Sequence, residues 1–128
     1  MTGQRGSATI LAAAAIGMTV LVSSVLVVAT VLVGDRMAAQ TAADAAALAA
    51  APATFPSTRS GAPALVAAEY AARNGSVLVT CRCRIDRRLA PRTVRVQVER
   101  LSRIPFWGTV TVRAGASAEF DPMAALRP

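Results

Sequence analysis

Two cysteines separated by a single residue are the strongest chemical signal in this chain. Cys81 and Cys83 form a C-x-C pair with no second pair of ligands, which is a weak pattern for zinc. On a strand they would point the same way near the outer limit of disulfide reach, so a bond between them would require distortion. We therefore predict two small buried hydrophobes, with an intermolecular disulfide in an oxidising compartment as the alternative.

The side chains needed for catalysis are otherwise sparse. The chain contains no histidine, so it cannot build a Ser-His-Asp or Cys-His arrangement. Its seven carboxylates are dispersed and nowhere paired at a spacing typical of acid–base catalysis or a metal cage. They are Asp35, Asp44, Glu69, Asp86, Glu99, Glu119 and Asp121. We expect no enzymatic activity, no cofactor and no metal ion.

The charge of the chain is strongly positive. All fourteen basic residues are arginine, and the formal net charge is +7. The absence of lysine beside so much alanine suggests GC-rich coding DNA. A basic surface can also attract nucleic acid, anionic lipid or an acidic protein. Because the arginines are scattered, without basic blocks or interleaved aromatics, nucleic acid is an unlikely partner.

The element that positions the rest is an uncharged segment, residues 7–34. It exceeds the roughly 20 apolar residues that a helix needs to cross a bilayer, and backbone groups in lipid must be satisfied within the segment. We therefore predict a single-pass transmembrane helix in the cell membrane. A cleaved signal, with a shorter apolar region, and a buried core helix are the alternatives. Arg5 precedes the segment, and the charge of Arg36 after it is partly offset by Asp35 and Asp44. This balance favours a cytoplasmic head, residues 1–6, and an extracytoplasmic domain.

The helix is predicted to continue through residues 35–51, which hold many alanines and no glycine or proline. Arg36, Gln40 and Asp44 recur every four residues as a polar stripe, and the alanines around them leave a smooth face. That face either permits close helix packing or reflects base composition alone. Small residues four apart in the membrane segment would also allow close approach. The helix-packing candidates are Ala13, Gly17, Gln40 and Asp44.

A small α+β domain is predicted after a loop at residues 52–63. A short helix at residues 64–73 should end at Asn74-Gly75, a favourable left-handed stop. Period-two alternation then predicts a three-stranded antiparallel sheet within residues 75–113. The predicted inward sets are Val77, Val79, Cys81, Cys83 and Ile85; Val94, Val96 and Val98; and Val110 and Val112. We expect residues 86–92 and 100–107 to connect the strands, and residues 114–128 to form a loosely ordered tail.

Two adjacent aromatic residues, Phe106 and Trp107, precede the last predicted strand. Such a pair can be a binding hot spot for a partner. We favour the alternative, in which the pair closes the small core.

Arg5-Gly6-Ser7-Ala8-Thr9 precedes the apolar run, and an alanine-aspartate block, residues 40–51, follows it. Together these two segments resemble the TadE/TadG-like family of the tight-adherence (Flp pilus) and related secretion systems. The stretch from Ala68 through Asn74-Gly75 and the strands that follow it are similar to the short actinobacterial-type branch. The resemblance covers most of residues 4–113.

This resemblance implies a pilin-like fold with a cytoplasmic amino terminus, acting in assembly of a pilus or secretion apparatus. The expected partners are the lipid bilayer and other subunits, including copies of the chain joined through the amino-terminal helix. Members processed like prepilins carry a glutamate five residues after the cleavage point, whereas a cut after Gly6 would place Leu11 there. We therefore expect an anchored pseudopilin-like subunit. A membrane-tethered module that holds an anionic polymer or lipid on its arginines is the alternative.

Overall fold

The computed structural model of the protein describes residues 4–56, 61–105 and 107–126, with side chains from residue 7 onward. It is an α+β structure with a long apolar helix, a short helix and a three-stranded antiparallel sheet, as predicted. A final single-turn helix was not predicted. In chain order the elements are α1 (Gln4–Ala53), α2 (Pro63–Arg73), β1 (Val77–Arg82), β2 (Arg92–Ile104), β3 (Gly108–Phe120) and α3 (Pro122–Ala125).

Helix α1 is unbroken over 50 residues and falls into two parts with different surroundings. We call residues 7–34 the bare half, because most of its side chains are exposed, and residues 35–53 the covered half, because the domain packs on it. The bare half is long and apolar enough to cross a membrane, a test that a signal sequence also passes. The helix ends at Ala53, slightly beyond the predicted end, because Pro52 stands in the last turn, where few further helical hydrogen bonds are lost.

The core consists of small side chains on both packed surfaces. Seven alanines of the covered half lie against α2 and the sheet: Ala39, Ala42, Ala43, Ala46, Ala47, Ala50 and Ala51. Ala67 and Ala71 face them from α2, and Val94, Val96 and Val98 face them from β2. Methyl-sized side chains let the backbones approach closely and still exclude water. The alanine face therefore has a packing role, and its partners are elements of the same chain.

The sheet is a meander in the order β1-β2-β3. The inward set of β2 is as predicted, with Val94, Val96 and Val98 fully buried. In β1 the register shifts between Leu78 and Thr80, so Leu78 and Cys81 both pack against the core. A bulge of this kind inserts one unpaired residue and reverses the alternation. The prediction that Val77, Val79 and Ile85 share the cysteines' inward face is wrong, and all three are exposed. Val110, predicted to face inward from the last strand, is exposed as well.

Strands β2 and β3 form a hairpin much longer than predicted. Their pairing runs without interruption from Arg92 with Phe120 to Ile104 with Gly108. Residues 100–104, predicted as a connection, are strand. The valine alternation stops at Val98 because the next inward positions, Arg100 and Ser102, bind an aspartate of α1.

The prediction of a loosely ordered tail over residues 114–128 is wrong for its described part, residues 114–126. Residues 114–120 complete β3, and Ala114, Ala116 and Phe120 pack against the core. The alanines have little strand propensity, but their small side chains fit the narrow gap between the sheet and the alanines of α1. Asp121 then caps α3 by accepting a hydrogen bond from Met123 N at 2.9 Å.

Candidate functional site

The largest unpartnered surface of the described chain is the bare half of α1. Ile10, Leu11 and Val25 expose 67–71% of their surface. The hydroxyls of this segment point back to the helix: Thr19 donates to the Ile16 carbonyl at 2.8 Å, and Ser24 donates to the Val20 carbonyl at 2.8 Å. Thr30 does the same with Val27 at 2.9 Å. Because these three hydroxyl donors are satisfied within the helix, they add little polarity to its outward surface.

Two of the four helix-packing candidates lie in this bare half. Ala13 is exposed, and a Cβ added at Gly17 would meet no atom within 4 Å. They are one helical turn apart, so they lie on one face of α1. This face is smooth enough for a second helix to approach closely.

The other two candidates, Gln40 and Asp44, lie on the covered half and interact within the chain. The Gln40 side-chain amide donates to Asp44 Oδ1 at 3.1 Å and to the Gly115 carbonyl at 3.2 Å. Both side chains remain exposed. Gln40 therefore ties α1 to β3 of its own chain, a contact that sequence spacing alone did not indicate.

A polar junction fixes the sheet to α1 where the bare half ends. Asp35 Oδ1 accepts from Arg100 Nε at 3.1 Å, and Asp35 Oδ2 accepts from the buried Ser102 hydroxyl at 2.5 Å. The Ser102 hydrogen bond, together with the Arg100 hydrogen bond and charge, lowers the pKa of Asp35 below its ordinary value. We call Asp35, Arg100 and Ser102 the junction.

Arg100 extends this junction to the end of α2. Its Nη1 donates to the carbonyls of Asn74 and Gly75 at 3.2 and 3.1 Å. Gly75 has a φ of +70°, which confirms the predicted left-handed stop. One guanidinium thus joins α1, α2 and β2. The sequence analysis did not predict the junction, although two polar residues at successive inward positions of β2, Arg100 and Ser102, could have indicated it.

The turn of the β2–β3 hairpin carries Trp107, the only tryptophan of the chain. Trp107 exposes 82% of its surface, so the favoured prediction that it closes the core is wrong. Its neighbour Phe106 lies outside the described residues. Trp107 and Pro105 line a groove whose other wall is the bare half of α1, from Thr19 to Val28. The hairpin therefore extends along the apolar helix. For Trp107, the other interpretation, a contact with a partner, stays a prediction.

The two cysteines are joined to each other in a disulfide, with Cα atoms 5.3 Å apart. The favoured prediction of two free, buried thiols is therefore wrong. The alternative, an intermolecular disulfide, is wrong as well, because the bond lies within the chain. The pairing of β1 with β2 ends at Arg82, so Cys83 lies beyond the ladder and is free to approach Cys81 more closely than a regular strand allows. Both residues still pack against the edge of the core, as expected.

An open cavity of about 660 Å³ lies at this end of the sheet. Arg82, Arg84, Arg88 and Arg92 line it, together with Asp86 and the disulfide. A hydrogen bond from the Arg88 backbone N–H at 3.0 Å and the surrounding arginine charges lower the pKa of Asp86.

Arg92 holds this end of the fold together. Its Nη1 donates to the Asp86 carbonyl at 2.5 Å and to the Thr54 carbonyl at 3.4 Å, and its Nη2 donates to the Arg88 carbonyl. The guanidinium also lies over the Phe55 ring, 5.9 Å from its centre. Arg92 thus links the 86–90 loop to the end of α1.

Comparisons with known protein families, with curated proteins and with solved structures return no match. Among residues 4–56, 61–105 and 107–126, no group of three or more His, Cys, Asp or Glu could hold a metal ion. Within the described residues, three surfaces are candidates for a functional role: the bare half of α1, the hairpin turn beside it and the arginine-lined cavity at the opposite end of the sheet.

Proposed function

We propose that this protein is a single-pass, membrane-anchored structural subunit without enzymatic activity. It is pseudopilin-like and acts in the assembly of a Flp (tight-adherence) pilus or a related secretion apparatus. The bare half of α1 crosses the bilayer and associates there with other subunits, including copies of the same chain. The domain makes contacts outside the membrane.

The observation that carries this proposal is the division of one continuous helix into two surfaces. The covered half buries its alanines against its own domain, so it is already partnered. The bare half exposes large apolar side chains along more than six turns, and three of its hydroxyls donate to carbonyls of the same helix. Water is a poor solvent for such a surface, and lipid or neighbouring apolar helices are good ones.

The proposed orientation places the amino terminus in the cytoplasm. Arg5 lies close to the start of the bare half, and cytoplasmic flanks are enriched in arginine and lysine. The Cys81–Cys83 disulfide supports an oxidising compartment for the domain, because such bonds are rare in the cytosol. Both observations favour the same side of the membrane for the domain.

The helix-association part of the proposal is tested with paired leucine substitutions. Replacing both Ala13 and Gly17 with leucine fills the smooth face, and we expect weaker oligomerisation of the detergent-solubilised chain. Replacing Ala8 and Ala15 with leucine is the matched control, because these residues lie on the opposite face and the apolar character is preserved. Equal oligomerisation of both variants in cross-linking and light scattering would reject association through this face.

The anchoring and orientation are tested on intact cells. After mild unfolding of the exterior and reduction, an impermeant maleimide should label Cys81 and Cys83, and the full-length mass should remain in the membrane pellet after carbonate extraction. Labelling only after lysis would overturn the orientation. A product that lacks the bare half would show that the segment is a cleaved signal and would overturn the anchor.

The arginine-lined cavity favours a second candidate function, a membrane-tethered module that binds an anionic polymer or lipid. Its four arginines face a single carboxylate, Asp86, so the local charge is strongly positive. Binding of a polyanion such as heparin to this cavity should weaken steeply as salt rises. Charge-removing changes at Arg82 and Arg84 should abolish it, whereas a salt-insensitive association with pilus or secretion subunits would favour the structural function.

A further inference from the structure

The turn of the β2–β3 hairpin and the strand residues beside it lack charge. No charged residue occurs from Ile104 to Val112. Arg103 and Arg113 stand at the two ends of this stretch. We call the described residues of this stretch, 104–105 and 107–112, the hairpin tip. Its most exposed large described side chain is Trp107.

The hairpin tip lies beside the bare half of α1 and forms two apolar grooves with it. In one groove, Pro105 and Trp107 face the helix between Thr19 and Val28. In the other, Ile104, Trp107 and Val110 face the helix between Leu21 and Leu32. Their volumes are about 350 and 520 Å³. The tip is thus level with the carboxyl-terminal part of the apolar segment.

The length of the bare half determines where a bilayer would end relative to this tip. Residues 7–34 extend about 42 Å as a helix, whereas a hydrocarbon core is about 30 Å thick. If the core begins at Ser7, it ends about 20 residues later, near Val27. Val27 and Val28 line the same groove as Trp107. With that start, the far boundary of the hydrocarbon would lie at the end of the groove that Trp107 lines.

The chemistry of the tip matches this boundary. Tryptophan is enriched at the membrane–water interface because its ring is apolar and its indole N–H can still find a polar partner. Arg103 is exposed next to the tip, and a guanidinium can pair with two oxygens of a lipid phosphate. Asp35, about 12 Å beyond Val27 along the helix, would lie outside the hydrocarbon.

We propose that the hairpin tip is a second membrane-contacting element, which inserts Trp107 into the interface of the leaflet on the domain side. The occupant of the two grooves is phospholipid of the bilayer that α1 crosses. This inference rests on the proposed membrane anchor. Helix and tip together give the domain two points of contact with the membrane, so they fix its tilt and its height above the lipid.

Because the chain has a single tryptophan, its own fluorescence tests the proposal. The full chain is reconstituted into vesicles of phosphatidylcholine and phosphatidylglycerol that carry bromine either near the glycerol end or near the methyl end of the acyl chains. Bromine quenches tryptophan only at short range. We expect emission at shorter wavelength than in the unfolded chain, with stronger loss of emission from the shallow bromines than from the deep ones.

Two relocated tryptophans, each in a Trp107→Phe background, provide the controls. Met18→Trp places the ring near the middle of the bare half at an exposed position that lines neither groove, where deep bromines should quench it more than shallow ones. Tyr70→Trp places it on α2 in the domain, where neither lipid should quench it.

The outcomes separate the tip from the anchor. A quenched Met18→Trp together with an unquenched Trp107 would overturn the hairpin-tip proposal and leave the anchor intact. The same result is expected if a second copy of the chain, not lipid, covers the grooves. Trp107 quenched most strongly by the deep bromines would also overturn its interfacial placement. A chain that does not float with the vesicles at all would overturn the anchor itself.

Discussion

The bare and covered halves of α1 belong to one helix but have opposite requirements. The bare half carries bulky valine, leucine and isoleucine side chains that remain exposed within the chain, whereas the covered half carries alanine and is buried by its own domain. Large apolar side chains suit a surrounding that adapts to them, such as lipid tails. Methyl groups suit a fixed backbone a short distance away. The side-chain volume along the helix therefore indicates which part is covered by its own chain.

The largest expected effect comes from a charge placed in the bare half. Val20→Asp should raise the free energy of membrane insertion by about 2.5–3.5 kcal/mol, the cost of a charge at the centre of a spanning helix. An insertion assay with a glycosylation reporter measures this shift. Thr41→Asp, on the exposed side of the covered half, is the control and should leave insertion unchanged. Equal insertion of both variants would contradict a lipid surrounding for the bare half.

The next effect comes from a larger side chain in the covered half. Ala46 is fully buried beneath the sheet, so Ala46→Leu should lower the free energy of unfolding by about 1–3 kcal/mol through overpacking. Urea unfolding of the full chain in detergent, followed by circular dichroism, gives this value. Ala14→Leu makes the same change in the bare half and should not affect domain stability. If both variants unfold alike, the two halves do not differ in packing.

Substitutions at two glycines compare the folded domain with the bare half. Gly75→Ala should lower the free energy of unfolding by about 1–2 kcal/mol, because the position is left-handed. Its new Cβ would also lie 2.6 Å from Arg100 Nη1, so the arginine must move. Gly17→Ala, in the open bare half, should instead favour the helix by about 0.5–1 kcal/mol. Thermal unfolding in detergent distinguishes these opposite signs, and equal signs would argue against the described conformation of Gly75.

The smallest effect concerns the junction between the two halves and depends on pH. Because the pKa of Asp35 is lower in the folded state, its contribution to stability is present above the ordinary carboxyl pKa and is lost as the pH falls through the folded-state value. Asp35→Asn should therefore be less stable than the natural chain at pH 7, and the difference should shrink on acidification. Asp86 is common to both chains, so its own pH dependence cancels. A difference that is constant with pH would show that the Asp35 charge does not stabilise the fold.

Much of this architecture could be predicted because local patterns and tertiary packing agree. Val94, Val96 and Val98 alternate cleanly and are buried as a set, and Asn74-Gly75 ends α2 as predicted. The uncharged run of residues 7–34 was sufficient to predict the long helix without knowledge of any tertiary contact. In these places one signal was strong enough to decide the structure.

The failures occur where tertiary contacts override local pattern. Residues 114–120 have weak strand propensity, and pairing with β2 along its full length makes them strand. The bulge after Leu78 reversed the face of Val79, which no alternation rule predicts. Trp107 was assigned to the core because aromatic residues in small domains are usually buried. The position of the hairpin beside α1 is a long-range fact that sequence spacing does not contain.

The candidate site was predictable only in part, for the same reason. Ala13 and Gly17 could be selected from spacing because both belong to one helix. The junction could not, since Asp35 and Ser102 are 67 positions apart and meet only after the hairpin folds back on α1. The bond between Cys81 and Cys83 depends on where β1 ends, which a period of two does not reveal.

The continuity of α1 has a mechanical consequence. No loop interrupts the helix between Gln4 and Ala53, and the sheet is fastened to it at Asp35 and again at Gln40. An axial displacement or rotation of the first turns of α1 would therefore also move the sheet that is attached to the same helix. Force applied at one side of a barrier would reach the other side through a single element of secondary structure.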